Sequence, residues 1–234
     1  MKDILKNTLL NILDEYLKMK PKPGDKKSPQ AVEFIEKTRS TLTTIFKNEP
    51  YQVKFSVGQN NWALVPWISF FDKKITTKAT KGYYIVYLFK SDMSGIYLSL
   101  NQGFTYFKNK YGYNKFKKLS KITNYWREQL NMPQKVSLDD INLNAFSRNT
   151  DLPRGYEKGN ICSIYYDINE LREKSDEALY SDLEDMKLLL RAIRMEILSR
   201  GKGVNTFNEE IVRNYTTEYI DSKSMSALQL KIFR

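Results

Sequence analysis

Histidine is absent from the 234 residues of this chain. Its absence excludes the Ser-His and Cys-His nucleophile pairs and removes the commonest general base and the commonest metal ligand. The single cysteine, Cys162, cannot form an internal disulfide, and no residues show the spacing of a zinc site. We therefore predict that the chain is not itself an enzyme, needs no metal or other cofactor, and works in a reducing cytoplasm.

Glycine and long apolar runs are also scarce. With ten glycines in all, the segment Gly201-Lys-Gly203 is too short for the phosphate-binding loop that ends in Gly-Lys-Ser/Thr, so nucleotide hydrolysis is not expected. No run of 18 apolar residues occurs, and Asp14 and Glu15 interrupt the apolar pattern near the N-terminus. The sequence therefore predicts neither a membrane span nor a signal peptide.

Positive charge is what the chain has in excess. Its 38 Lys and Arg against 27 Asp and Glu give a net charge of +11 and a pI near 9.4, which favours a polyanionic partner such as nucleic acid. Many basic proteins bind no nucleic acid, so charge alone does not decide the matter. The acidic clusters at Asp139 and Asp140 and at residues 182–185 are interpreted as surface charge, since neither has the pattern of a nuclease metal site.

The apolar pattern predicts an α+β fold with a curved, largely antiparallel β-sheet, flanked by helices and followed by a long C-terminal helix. Helical spacing covers residues 2–19 and 28–48, with Ser28 as N-cap and Pro29 at the first helical position. Residues 103–132 are predicted to form two helices that break near Leu119 and Ser120, and residues 133–160 to be rich in loops. A long helix is predicted over residues 176–199, with Gly201 as its C-cap. Strands are expected at residues 51–57, 63–71, 83–89, 96–100 and 161–166.

The length favours one principal domain over residues 1–200. Residues 201–234 are predicted to form a helical tail or a linker to a further domain. No internal repeat and no low-complexity segment is apparent.

The most informative region is the segment SVGQNNWALVPWISFFD at residues 56–72, followed by KGYYIVYLFK at residues 81–90 and IYLSLNQG at residues 96–103. A glycine followed by a Pro-Trp pair, and then a Gly-Tyr-Tyr strand, is not a generic β pattern. In these residues the chain resembles the N-terminal domain of the McrB-like family of modification-dependent restriction systems. The resemblance spans about residues 1–200.

The resemblance implies a domain that binds duplex DNA containing methylated cytosine and extrudes the modified base. It also implies that a GTP-driven AAA+ motor and a nuclease, located elsewhere, use this specificity. By this likeness, Trp67 would stack on the extruded base, Leu88 would lie next to its methyl group, and Tyr156 would close the opposite face. Where the best-known member has an aromatic wedge, this chain has Gln59, flanked by Asn60 and Asn61.

The residues themselves suit this task. An aromatic platform for a base and a basic surface for the backbone both occur along the predicted strands, where Tyr84 is a further candidate for the pocket. The lysines expected to contact DNA are Lys54, Lys73, Lys74, Lys78 and Lys81.

Other readings of the same residues stay open at this stage. The aromatic residues Trp62, Trp67, Phe70 and Phe71 are equally typical of a β-sheet core, although alternation along a strand buries only one face. The alternative functions are a directly acting nuclease subunit and a protein-interaction adaptor of a defence complex, which would use the long C-terminal helix.

Overall fold

A computed structural model of the chain describes residues 3–22, 25–59, 61–146 and 150–215. The predicted DNA-contacting residue Asn60 and most of the predicted tail, residues 216–234, lie outside the described residues.

Two helices precede the sheet, as predicted. Helix α1 spans Ile4–Glu15 and buries its apolar stripe, including Leu5 and Leu9. Helix α2 spans Pro29–Ile45, and the Ser28 hydroxyl accepts a hydrogen bond of 3.1 Å from the backbone N–H of Ala31. Ser28 therefore caps one of the N–H groups that the first turn leaves unpaired, and the fixed φ of Pro29 suits the first helical position.

The sheet has five antiparallel strands in chain order: β1 Tyr51–Ser56, β2 Trp67–Asp72, β3 Tyr83–Phe89, β4 Gly95–Gln102 and β5 Cys162–Asp167. The prediction that the second strand begins at residue 63 is wrong. Residues 63–66 belong to a loop, which is closed by a backbone hydrogen bond of 2.7 Å from Ala63 to Val57. Pro66 has no N–H for the ladder, and the strand begins directly after it.

Helices follow β4 and β5. The break predicted near Leu119 and Ser120 is wrong, because Leu119 is buried inside a continuous helix. The first of the two helices ends earlier, at Gly112, whose φ of +49° a non-glycine residue rarely adopts. The helices are α3 Phe104–Tyr111, α4 Lys115–Gln129, α5 Leu152–Gly159, α6 Ile168–Glu173, α7 Asp176–Ser199 and α8 Val204–Asn214, with a 3₁₀ turn at Gly112–Asn114 between α3 and α4.

The first face of the sheet carries the main core. Helix α2 packs on this face, where the rings of Phe46 and Phe70 meet edge to face at 4.9 Å. Helix α7 crosses β3 and β4 on the same side, and Asp182 accepts a hydrogen bond of 2.7 Å from the Tyr166 hydroxyl. Asp182 is buried and ion-paired to Lys135 at 2.7 Å, so its interpretation as surface charge is wrong.

The second face of the sheet is defined by Trp67, Phe71, Tyr84, Val86 and Leu88, which form a smaller cluster. This face is covered in part by Ile141 and Leu143, from the segment before α5, and by Tyr156 of α5. Because side chains alternate along each strand, the second face is separated from the main core by the backbone of the sheet itself.

The fold class is confirmed: α+β, with an antiparallel sheet flanked by helices and a long C-terminal helix. After that helix, Gly201 adopts a φ of +60° and α8 begins three residues later. Phe207 of α8 is buried and stacks on Trp126 at 5.5 Å, so α8 packs on the same core. Within the described part of the chain, no helix combines the length and apolarity needed to cross a membrane.

Candidate functional site

A cavity of about 600 Å³ lies on the second face of the sheet, next to the first residue of β2. Its volume falls within the range of about 300–1,000 Å³ that is typical of small-molecule sites. Three segments form its walls: the loop after β1, the end of the β2–β3 loop together with the start of α3, and α5 with the residues before it. The lining residues are Ser56, Gly58, Gln59, Asn61, Trp62, Ala63, Leu64, Val65, Trp67, Ala79, Thr80, Phe104, Thr105, Thr150, Leu152, Pro153 and Tyr156.

Trp67 is partly buried, and its indole lines the cavity. The residue is held at the start of β2 because the carbonyl of Pro66 accepts a hydrogen bond of 3.1 Å from the backbone of Phe89. One edge of the indole meets the ring of Phe71 at a centroid distance of 6.5 Å, and Tyr156 packs on the same side-chain cluster. These contacts fix the orientation of the ring while leaving part of it on the cavity.

Tyr156 reaches the cavity from α5, on the opposite side from β2. The helix is tied to β4, because the side chain of Asn101 donates a hydrogen bond of 3.0 Å to the Tyr156 carbonyl. Burial raises the pKa of Tyr156 to about 12. The Tyr156 phenol is therefore neutral at physiological pH, and the structure brings the predicted pair Trp67 and Tyr156 together.

Helix α5 can approach α3 this closely because Gly155 has no side chain. A Cβ atom at this position would lie 2.3 Å from the ring of Phe104, which is itself buried and stacked on Phe116 at 5.3 Å. The position of the α5 wall thus depends on one glycine.

The loop after β1 forms the opposite rim of the cavity. Gly58 adopts a φ of +90°, and a Cβ there would lie 2.1 Å from the carbonyl oxygen of Asn61, so the turn requires glycine. Gln59 and Asn61 are exposed and line the cavity. The backbone carbonyl of Gln59 accepts a hydrogen bond of 3.2 Å from Lys27, which anchors the loop to the segment before α2.

The other two predicted pocket residues, Tyr84 and Leu88, lie deeper. Leu88 is the cross-strand partner of Trp67, and both Leu88 and Tyr84 are fully buried in the cluster on the second face. The Tyr84 hydroxyl donates a hydrogen bond of 3.2 Å to the carbonyl of Ala79, a lining residue. In this structure both residues support the cavity from below and are not part of its lining.

The predicted lysines are distributed unevenly around the cavity, and all five are exposed. Lys78 and Lys81 flank the lining residues Ala79 and Thr80, and Lys54 lies two residues from Ser56 on the same face of β1. Lys73 and Lys74 follow the far end of β2. Six residues of strand, roughly 20 Å, separate them from Trp67, so the structure does not place them at the cavity.

Sequence reasoning missed the wall made by the start of α3. Phe104 and Thr105 line the cavity because the chain turns sharply after β4 at Gly103. A Cβ atom at Gly103 would lie 2.1 Å from the backbone nitrogen of Lys81, so the β2–β3 loop packs directly on this glycine. A glycine between a strand and a helix is a signal of such a close approach, but it does not reveal the partner.

Comparison with known families supports the resemblance seen in the sequence. A family model described as MrcB-like, N-terminal domain, matches residues 11–194, a span that includes the whole sheet and every wall of the cavity. No curated protein matches the chain. The chain therefore belongs to the McrB-like N-terminal domain family, which identifies it as a DNA-binding module of a restriction system rather than a catalytic domain.

Proposed function

We propose that the chain recognises a modified base, methylated cytosine, in duplex DNA by taking the extruded base into the cavity next to Trp67. One observation carries the proposal: the indole of Trp67 lines a cavity of about 600 Å³ on the second face of the sheet, and Tyr156 lines the same cavity. An aromatic ring that lines a cavity offers a stacking surface that a ring in the sealed core does not.

The energy balance supports this use of the cavity. Extruding a base costs a few kcal/mol, and stacking on an aromatic side chain returns about 1–3 kcal/mol per base. Trp67 is already held in place by its neighbours, so binding loses little side-chain freedom. The Tyr156 phenol is neutral at physiological pH, as tyrosines ordinarily are, and adds no negative charge that would oppose DNA.

The rim residues have a separate part in the proposal. The exposed amides of Gln59 and Asn61 each donate and accept hydrogen bonds, which suits them to the polar edges of bases. Gln59 stands where the best-known member of the family has an aromatic wedge. We place it, with Asn60, in the gap that the extruded base leaves in the stack. Leu88 and Tyr84 would act from below, by setting the depth at which the base and its methyl group come to rest.

The proposal also includes what the chain does not do. Specificity would be delivered to a GTP-driven motor and a nuclease in other domains or subunits, and the chain alone would cleave nothing. Incubation with methylated plasmid and Mg²⁺ tests this point, and cleavage that follows the chain through purification would contradict it.

The main experiment compares matched duplexes with and without 5-methylcytosine by fluorescence anisotropy. The wild-type chain should bind the methylated duplex more tightly. Trp67→Ala should reduce that preference by about tenfold or more, because it removes the stacking surface, while binding that depends on charge alone persists. Tyr165→Ala is the matched control, since Tyr165 is an exposed aromatic on β5, away from the cavity lining.

Two outcomes would contradict the proposal. Equal affinity of the wild-type chain for both duplexes at every salt concentration would exclude recognition of this modification. Equal loss of preference in the Trp67→Ala and Tyr165→Ala variants, with both folded, would exclude the cavity as the site.

A further inference from the structure

The excess charge of the chain is confined to one segment. Residues 73–127 contain 12 of the 38 basic residues but only one of the 27 acidic residues, Asp92. The rest of the chain holds 26 basic and 26 acidic residues and is therefore neutral. This segment therefore carries the excess charge that favours a polyanionic partner.

Half of these basic residues lie on what we call the lysine arm, residues 104–121, which comprises α3, the 3₁₀ turn and the start of α4. No acidic residue occurs on the arm, and Tyr113 at its tip is 98% exposed. An aromatic side chain this exposed has almost no packing role within the chain itself. The lysines of the arm are Lys108, Lys110, Lys115, Lys117, Lys118 and Lys121.

Three of these lysines serve the fold. Lys110 forms an ion pair with Glu209, Lys115 forms one of 3.0 Å with Asp151, and Lys121 donates to the carbonyl of Tyr215 at 2.9 Å. The other three, Lys108, Lys117 and Lys118, form no ion pair with any residue that the structure describes. Like charges grouped on short helices repel each other, so the fold gains nothing from these three.

The arm is continuous with the cavity. Thr80 and Thr105 line the cavity and also line a shallow surface depression that includes Lys81 and Lys110. At the other end of the arm, the guanidinium of Arg154 in α5 lies 4.3 Å from the centre of the Phe116 ring. The arm therefore begins at one cavity wall and packs against another, and it projects between them.

The length of the arm sets how far it reaches along DNA. The eight residues of α3 span about 12 Å at 1.5 Å per residue. Phosphates of one DNA strand are about 3.4 Å apart along the axis. If α3 lies along the duplex axis, the tip of the arm reaches about three to four nucleotides from the cavity rim.

We infer that the lysine arm is a second DNA-contacting surface, which binds the phosphate backbone of the duplex about three to four nucleotides from the extruded base. Lys108, Lys117 and Lys118 contact the phosphates, and Tyr113 packs against the sugar–phosphate backbone at the tip. The distance from the base rests on the proposed function, whereas the phosphate contact does not depend on base recognition. The arm supplies affinity and register, and the cavity supplies specificity.

The test is the variant Lys108→Gln/Lys117→Gln/Lys118→Gln, compared with a control that removes the same charge elsewhere. The control is Lys20→Gln/Lys37→Gln/Lys47→Gln, whose lysines are exposed and lie on α2 or next to α1 and α2. Both variants are assayed by fluorescence anisotropy on methylated and unmodified duplexes across a salt series, after their melting temperatures are shown to match wild type.

The arm variant should lose roughly tenfold or more in affinity for both duplexes, and the ratio of the two affinities should not change. The slope of log K against log salt concentration should become shallower by about 0.9 per lost contact. The control should lose much less. Equal losses in the two triple variants would overturn the inference. The wild-type chain could show no preference for the methylated duplex while the arm variant alone loses DNA affinity. That result would refute the proposed base recognition but support the arm as a DNA-contacting surface.

A second variant tests the tip. Tyr113→Ala should weaken binding to both duplexes by several-fold. It should not lower the stability of the protein, because the side chain is almost fully exposed. Unchanged binding of this variant would remove Tyr113 from the contact surface.

Discussion

Gly155→Ala should disturb the cavity although Gly155 is not itself a lining residue, because its neighbour Phe104 is one. The new methyl group would lie 2.3 Å from a carbon of the Phe104 ring, about 1.1 Å closer than ordinary van der Waals contact. The ring has no room to retreat, since it is buried and stacked on Phe116. Helix α5 must therefore move outward by about 1 Å, and it carries Tyr156 with it.

Two opposing energies determine the size of the effect. Alanine favours a helix over glycine by about 1 kcal/mol, whereas overpacking a core contact costs about 1–3 kcal/mol. Contact with a buried aromatic ring places this substitution at the upper end of that range, so the net loss should be about 2 kcal/mol. For a domain of this size the melting temperature should then fall by about 4–8 °C.

The assay combines thermal unfolding with binding to the matched duplexes. We expect a larger loss of preference for the methylated duplex than of binding to the unmodified one, because displacement of α5 moves Tyr156 away from Trp67. Gly203→Ala is the control, since nothing lies within 4 Å of a Cβ there, and it should cost less than about 1 kcal/mol. A melting temperature at or above wild type for Gly155→Ala would refute this account of the α5 wall.

Three further predictions concern polar groups away from the cavity. Asn101→Ala should lower stability by about 1–3 kcal/mol in denaturant titrations, because it leaves buried partners without hydrogen bonds, and Asn131→Ala at the surface should not. Cys162 is fully buried and its pKa is raised to about 12 by that burial, so thiol reagents should label it only as fast as the protein opens; rapid labelling under native conditions would contradict its placement. Desolvation opposes ionisation of Asp92, but hydrogen bonds from Ser94 and Asn144 outweigh it and lower the pKa of Asp92 to about 2. The ionised Asp92 therefore contributes to stability above about pH 4, and this contribution is lost as the pH falls towards 2. Asp92→Asn should flatten acid unfolding curves in that range, and curves identical to wild type would contradict this.

The strands and helix starts could be predicted because local chemistry determines them. Ser28 and Pro29 mark the start of α2 by their own capping and backbone preferences, and the continuous run of aromatic and aliphatic residues at 83–89 marks β3. The break between α3 and α4 was misplaced because Leu119 and Ser120 interrupt the pattern only weakly, while Gly112 ends the helix through a positive φ. The sequence shows that residue 112 is a glycine, but it does not show which of the ten glycines adopts a positive φ.

The site could be predicted in part. The resemblance indicates Trp67 and Tyr156, which line the same cavity although they are 89 positions apart in the chain. The burial of Tyr84 and Leu88 beneath the cavity was not predictable. Alternation along the strand assigns both residues to the correct face, but it does not show that the segment before α5 covers them. Asp182 was misjudged for a similar reason, since its buried partner Tyr166 comes from another element.

The described side chains that line the cavity carry no formal charge, although the chain as a whole carries eleven positive charges in excess. Stacking and hydrogen bonding inside such a cavity are screened little by salt, whereas contacts between lysines and phosphates weaken steeply as salt rises. The two kinds of interaction therefore separate experimentally. The ratio of dissociation constants for methylated and unmodified duplexes reports on the cavity, and the salt dependence of either constant reports on the lysines. This separation has a structural origin, because Lys108, Lys117 and Lys118 lie further along α3 and α4 and are not among the residues that line the cavity.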